Sequence, residues 1–234
     1  ILRATRAIDL LARTSNDLDG IKHIISEICR ADLPDDGVWF DSDSVTTTRI
    51  AEDADYEGVR ATFAGRLATT RISMQIDIGF SDVVTPGPVE ISYPTILDYP
   101  APVLRAYNRE TVIAEKFDTM VSLGRLNSRM KDFFDVWLLA STSDFSGADL
   151  SAAILATFRR RGTELNAVPQ AFEDDFLFDP SKRSQWTGFL KRMRPSEAPS
   201  TFSDALISIR AFLQPVHEAL CSGDSFTMTW KHPG

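Results

Sequence analysis

The chain has few cysteines and histidines and no long apolar run, and each shortage excludes a class of protein. Its 234 residues contain only Cys29 and Cys221, which provide neither a disulfide framework nor the spacing of a zinc site. The three histidines are scattered. No stretch of about 18 apolar residues is present, and the N-terminal residues lack the pattern of a signal peptide. We therefore expect a cytoplasmic protein without a membrane span.

Positive charge is also scarce. The chain has 25 Lys and Arg residues against 33 Asp and Glu residues, a formal net charge of -8. This balance disfavours a protein that binds nucleic acid by neutralising phosphates over its whole surface. A local basic strip is compatible with it, and Arg125, Arg129 and residues 159–161 are the candidates. The alternative is that the arginines at 159–161 only complement a helix dipole.

The apolar pattern changes along the chain from strand-like to helix-like. Strands are predicted over Leu2–Leu11, Gly58–Leu67 and Arg71–Phe80, the last two as a hairpin, and a helix over Asp17–Arg30. Beyond a segment rich in proline the helical spacing of apolar residues returns. The five helices predicted there are Glu110–Leu123, Ser128–Ser141, Leu150–Arg160, Lys182–Met193 and Thr201–Leu220.

These elements predict an α+β fold. We expect a small mixed sheet flanked by helices in residues 1–105 and a helical domain in residues 106–234. The chain begins at Ile1 without a methionine, and we expect that part of the first domain precedes it.

Two carboxylates lie in the middle of predicted strands. Asp77 is on the polar face of a strand whose even positions from 72 to 80 are all apolar, and Asp9 lies between aliphatic neighbours. A carboxylate in mid-strand opposes β propensity and needs a partner. We interpret Asp9 and Asp77 as walls of one acidic pocket that binds a metal or a substrate.

Lys116 lies at the edge of the apolar stripe of its predicted helix, while Glu115 and Asp118 point away from that stripe. Its side chain either extends past the core into water or directs its ammonium into a cleft, where it can hold a phosphate. The pattern alone leaves both alternatives open.

Asp132 and Asp135 belong to a helix with apolar residues on nearly every side. Carboxylates embedded in such a helix are costly unless they are paired or bind a ligand. A salt bridge to Arg125, Arg129 or Lys131 is the structural alternative to a functional role.

Four segments occur in an order that resembles a known family. Residues 3–11 look like a strand with the pattern Arg-x-Thr-x-Asp-h-Asp-h, where h is apolar, and residues 75–80 like a strand with a third carboxylate. Residues 110–117 resemble a helix that carries a lysine, and residues 127–135 a helix with a final acidic motif. Together they resemble the nucleotidyl transferase AbiEii/AbiGii toxin family of the DNA polymerase β-like nucleotidyltransferase superfamily.

The resemblance implies transfer of a nucleoside monophosphate from a nucleoside triphosphate, with Mg²⁺ as cofactor. It implies catalytic roles for Asp9, Asp77, Lys116 and Asp132, with Asp9 and Asp77 as magnesium ligands, Lys116 and Arg129 binding the triphosphate and Asp132 orienting Lys116. It also implies toxicity in a toxin–antitoxin or phage-defence system, a cognate antitoxin as partner, and an acceptor such as the 3′ end of the tRNA acceptor stem.

The chain departs from the family pattern at Ala7, where the first aspartate of the strand is expected. The missing carboxylate is expected to weaken magnesium binding, and an enzyme inactivated at this position, by a natural or by an engineered substitution, is one interpretation. The family's upstream Gly-Gly/Ser motif is also absent from the sequence. A non-catalytic relic that binds nucleotide, RNA or protein is therefore the alternative function. A purely structural role, with Asp77 and Asp132 paired to arginines, is the third.

Overall fold

The computed structural model describes residues 8–33, 36–53, 56–95, 98–165 and 168–231. Within these ranges it does not describe the side chains of residues 51–57. Ala7 lies outside the described residues. The chain divides into two compact units, Ile1–Asp82 and Val83–Gly234. Strands dominate the first unit and helices the second, so the predicted α+β fold is confirmed.

The first unit contains a four-stranded mixed sheet with the order β1-β4-β3-β2. Strand β1 pairs in parallel with β4, and the other pairs are antiparallel. The predicted hairpin is therefore present as β3 and β4. The elements are β1 (Ile8–Leu11), α1 (Leu18–Cys29), β2 (Val38–Asp53), β3 (Tyr56–Leu67) and β4 (Thr70–Gly79).

Helix α1 covers one face of this sheet. It begins after Asp17, whose carboxylate accepts the main-chain N–H of Gly20 at 2.7 Å and so satisfies a helix-end donor. Ile21 and Ile25 lie one turn apart and pack with the even positions of β4, including Ile76 and Ile78, in one buried cluster. Because strand side chains alternate, the odd positions of β4 lie on the opposite face.

The described residues of the second unit form six α-helices that enclose a continuous buried apolar core. All five predicted helices are present, with ends that differ by no more than three residues, and a short helix joins them. Their bounds are α2 (Arg109–Leu123), α3 (Met130–Thr142), α4 (Gly147–Arg161), α5 (Asp174–Leu177), α6 (Pro180–Met193) and α7 (Phe202–Ser222). Two short antiparallel ribbons accompany them: β5 (Val89–Ser92) with β6 (Val103–Ala106), and β7 (Phe145–Ser146) with β8 (Thr229–Trp230).

The segment that follows the sheet makes its contacts with the helical unit. Thr85 and Thr111 exchange two hydrogen bonds, at 3.0 and 3.1 Å, and the amide of Asn108 donates to the carbonyl of Gly87 at 2.8 Å. The two units therefore divide at residues 82 and 83, earlier than the domain boundary near residue 105, which stays a prediction. Over the described residues, no helix has the length and apolar content needed to cross a membrane.

Candidate functional site

Asp9 and Asp77 lie side by side in the sheet. They are register partners on the parallel pair β1 and β4, so both side chains lie on the face opposite α1. Asp9 is exposed, while the side chain of Asp77 is only 13% exposed. The first unit therefore brings together the two carboxylates that were predicted to share a pocket wall.

Asp77 is also held by Arg60 of β3, which is its register partner on the other neighbouring strand. The Arg60 guanidinium donates through Nε and Nη2 to the two Asp77 oxygens, both at 2.8 Å. The amide of Gln75 donates to the same carboxylate at 3.1 and 3.2 Å. These hydrogen bonds, led by those of Arg60, hold the pKa of Asp77 below its ordinary value against the opposing effect of burial.

Arg60 was not among the site residues predicted from the sequence. Its pairing with Asp77 depends on the exact strand register. The bidentate pair is the arrangement that a purely structural role for Asp77 predicts.

The pair makes the ionisation of Asp77 depend on Arg60. We expect Arg60→Gln to raise the pKa of Asp77, because a neutral amide cannot replace the cation. The stabilisation from this carboxylate is present above its unfolded pKa of about 3.9 and is lost as the pH falls through its lower folded pKa. An NMR titration of the Asp77 carboxyl carbon measures the shift. An identical titration curve in Arg60→Gln contradicts it, and Arg105→Gln on β6 is the control that leaves the curve unchanged.

In the second unit, Lys116 is held between two carboxylates. Its ammonium donates to Asp132 Oδ1 at 2.7 Å and lies 3.0 Å from Asp135 Oδ2. The side chains of Lys116 and Asp132 are 17% and 5% exposed. Lys116 therefore does not extend freely into water, and its ammonium is fixed by the two acids of α3.

Arg129 completes this group from the turn that precedes α3. Its Nε lies 2.7 Å from Asp132 Oδ2, and more than half of its side chain is exposed. Two cations, Lys116 and Arg129, thus face two anions, Asp132 and Asp135. Because an ammonium has three N–H donors and two are directed at carboxylates, one donor of Lys116 is available for a further acceptor.

The turn before α3 is fixed by buried polar residues that were not predicted from the sequence to have a role. Asn127 is fully buried; its amide donates to the carbonyl of Thr119 at 3.3 Å and its oxygen accepts from the N–H of Arg129 at 2.9 Å. The buried ammonium of Lys182 donates to the carbonyls of Arg125 and Asn127 at 2.9 and 2.7 Å. These bonds fix the position of Arg129 and the residue at which α3 begins. Because lysine is rarely buried, nothing in the sequence around Lys182 indicated this role.

Three arginines of the predicted basic strip make ion pairs with carboxylates. Arg125 pairs with Glu173 at 2.7 Å, and Arg161 lies 3.3 Å from Asp118. Asp118 lies off the apolar stripe of α2 as predicted, yet it is buried, because α4 packs against that side of the helix. Arg125, Arg129 and Arg161 therefore serve the fold as counter-ions, whereas Arg159 and Arg160 are exposed at the end of α4.

The carboxylates suit a divalent cation that is bound together with a substrate. No group of three or more His, Cys, Asp or Glu side chains able to hold a metal occurs among the described residues. Mg²⁺, however, is commonly held by one or two carboxylates, several waters and the phosphates of a nucleotide. Asp9 and Asp77 supply such a pair, and a cation bound to Asp77 would take the place of the long hydrogen bonds from the Gln75 amide, at 3.1 and 3.2 Å. The donor set fits Mg²⁺ bound with a triphosphate.

Comparisons with known proteins identify relatives of the chain. Residues 1–208 match the family described as nucleotidyl transferase AbiEii toxin of type IV toxin–antitoxin systems. Among curated proteins, none matches. A crystal structure of a candidate nucleotidyltransferase from H. pylori is 13% identical, with a TM-score of 0.47, over 96% of this chain and 83% of that one. That of JHP933 from Helicobacter pylori is 14% identical, with a TM-score of 0.46, over 94% and 79%.

Proposed function

Since the chain belongs to the family of nucleotidyl transferase AbiEii toxins of type IV toxin–antitoxin systems, we propose that it transfers a nucleoside monophosphate from a nucleoside triphosphate to an RNA acceptor such as the 3′ end of tRNA. The same proposal makes it the toxin of a pair and gives it a cognate antitoxin as partner. The geometry of Lys116 between Asp132 and Asp135 supports this function best.

Asp9 and Asp77 are proposed to hold Mg²⁺. When bound, the ion would neutralise charge on the triphosphate and favour ionisation of the attacking hydroxyl. Arg60 also affects metal binding, because its guanidinium already neutralises part of the charge on Asp77. It therefore lowers the affinity of this carboxylate for a cation in the absence of nucleotide. Binding of metal and triphosphate together is expected to be much tighter than binding of metal alone.

Lys116 is proposed to bind a phosphate oxygen through its remaining N–H donor. Asp132 and Asp135 orient the ammonium, and the turn fixed by Asn127 holds Arg129 beside it. A group that is already oriented loses little conformational entropy when the phosphate arrives. Lys116 then stabilises the charge that develops on the phosphates during transfer.

Calorimetry with a non-hydrolysable nucleoside triphosphate analogue and Mg²⁺ tests the metal-binding part of this proposal. We expect Asp77→Asn to weaken binding at least about tenfold, because the neutral amide is a poorer ligand for a hard cation. Asp32→Asn, which removes an equal charge from an exposed position of the first unit, is the matched control and leaves the affinity unchanged. Equal affinity in Asp77→Asn and the unmodified chain contradicts the assignment.

A non-catalytic relic is the second candidate function, and Ala7 is the observation that favours it. It predicts nucleotide binding that depends on Asp77 and Lys116 but no transfer, even when an aspartate is introduced at position 7. Binding and transfer assays on the same variants therefore separate the two candidates.

A further inference from the structure

The face of the sheet that carries Asp77 also carries a basic and aromatic row at its far end. Trp39 of β2, Arg66 of β3 and Arg71 of β4 are register partners across three strands. The Arg66 guanidinium lies 5.8 Å from the centre of the Trp39 ring. The Trp39 residue is 55% exposed, and both arginines are exposed. We refer to these three residues as the Trp39–Arg66–Arg71 row.

The row shares a face with Asp77 because of the period of two in a strand. Arg71 precedes Asp77 by six residues on β4, and Arg66 follows Arg60 by six residues on β3, so each pair points to one side. At about 3.3 Å per residue, the row lies about 20 Å from Asp77 along the sheet. Between them lie mostly neutral side chains, including Gln75, and one carboxylate, Asp41.

The cation–π contact of Arg66 with Trp39 does not offset the charge of the two arginines. Arg66 and Arg71 are directly opposite each other on neighbouring strands, an arrangement in which like charges repel. Neither makes an ion pair with a carboxylate in the part of the chain that the structure describes. A bound anion would relieve this repulsion. The row is therefore a local site of positive charge on a protein whose net charge is -8.

We propose that the Trp39–Arg66–Arg71 row binds single-stranded nucleic acid, with phosphates on the two arginines and a base stacked on Trp39. An exposed indole beside a guanidinium is the combination on which bases stack in sites for single strands. This inference rests on the proposed function only for the path of the RNA along the sheet: an RNA acceptor whose end reaches Asp77 runs along this face towards the row. Binding at the row does not itself depend on transfer.

Fluorescence anisotropy of a fluorescein-labelled single-stranded RNA of about ten nucleotides tests the proposal without nucleotide or metal. We expect Trp39→Ala to weaken binding about tenfold with little change in salt dependence. The double variant Arg66→Gln/Arg71→Gln should reduce the slope of log affinity against log salt by about 1.4, since each phosphate contact contributes about 0.7. Arg183→Gln/Arg192→Gln on α6, which removes the same charge from exposed positions, is the matched control and leaves affinity and slope unchanged.

Unchanged affinity and slope in the double variant would overturn the proposal. Equal binding of poly-glutamate would also overturn it, because the row would then select an acidic protein partner rather than a nucleic acid. Lys116→Met in the Ala7→Asp protein separates this proposal from the proposed function, since it is expected to abolish transfer while leaving RNA anisotropy unchanged. RNA binding that depends on the row, without transfer, would leave the row assigned and refute only the transferase.

Discussion

Lys116→Met is expected to destabilise the protein by about 3 kcal/mol and, when it is added to the Ala7→Asp protein, to abolish nucleotide transfer. The substitution takes from Asp135 and Asp132 the ammonium that holds both and leaves Asp132 with Arg129, and removal of one member of a buried ion pair is strongly destabilising. Chemical denaturation measures the first effect, and transfer of a labelled nucleotide measures the second. A change below about 1 kcal/mol would show that the pair behaves like an exposed one.

The triple variant Lys116→Met/Asp132→Asn/Asp135→Asn separates the structural from the functional role. Neutralising all three groups removes the unpaired charges, so most of the lost stability should return. Transfer should stay absent, because no ammonium is left to bind a phosphate. Activity in this stable variant would contradict the role of Lys116.

Ala7→Asp is expected to convert a weak cation site into a stronger one. Position 7 is where the family pattern has its first aspartate, two residues before Asp9 in the sequence. A third oxygen ligand should tighten Mn²⁺ binding about tenfold, equivalent to about 1.4 kcal/mol, in the presence of a triphosphate analogue. Titration calorimetry measures it, and Ala7→Asn is the matched control without the charge. Equal affinity in the two variants would refute the inferred ligand position.

The sequence was sufficient for the elements with strong periodicity. The hairpin of β3 and β4 was predictable because apolar residues alternate on both sides of Ala68 and Thr69. Strand β2 escaped prediction, since its middle has Val45 as the only apolar residue between Asp41 and Arg49 and its register shifts between Asp41 and Thr46. Such a polar stretch has no clear period from which a strand can be recognised.

In the candidate site, too, the parts formed by one stretch of sequence were predictable, while the side-chain contacts across strands were not. The lysine and acidic helices could be named from their motifs, and the resemblance implied that Asp132 orients Lys116. The pairing of Asp77 with Arg60, and the row of Trp39 with Arg66, depend on which residues face each other across strands. That register follows from the packing of one sheet face on α1, and no local pattern encodes it.

The most direct test of the central claim is transfer of a radiolabelled nucleotide to RNA by the Ala7→Asp protein with Mg²⁺. The account predicts labelled RNA, no label when Asp77→Asn or Lys116→Met is added, and full labelling when the control Asp32→Asn is added. Labelling that persists in the Asp77→Asn protein would contradict it.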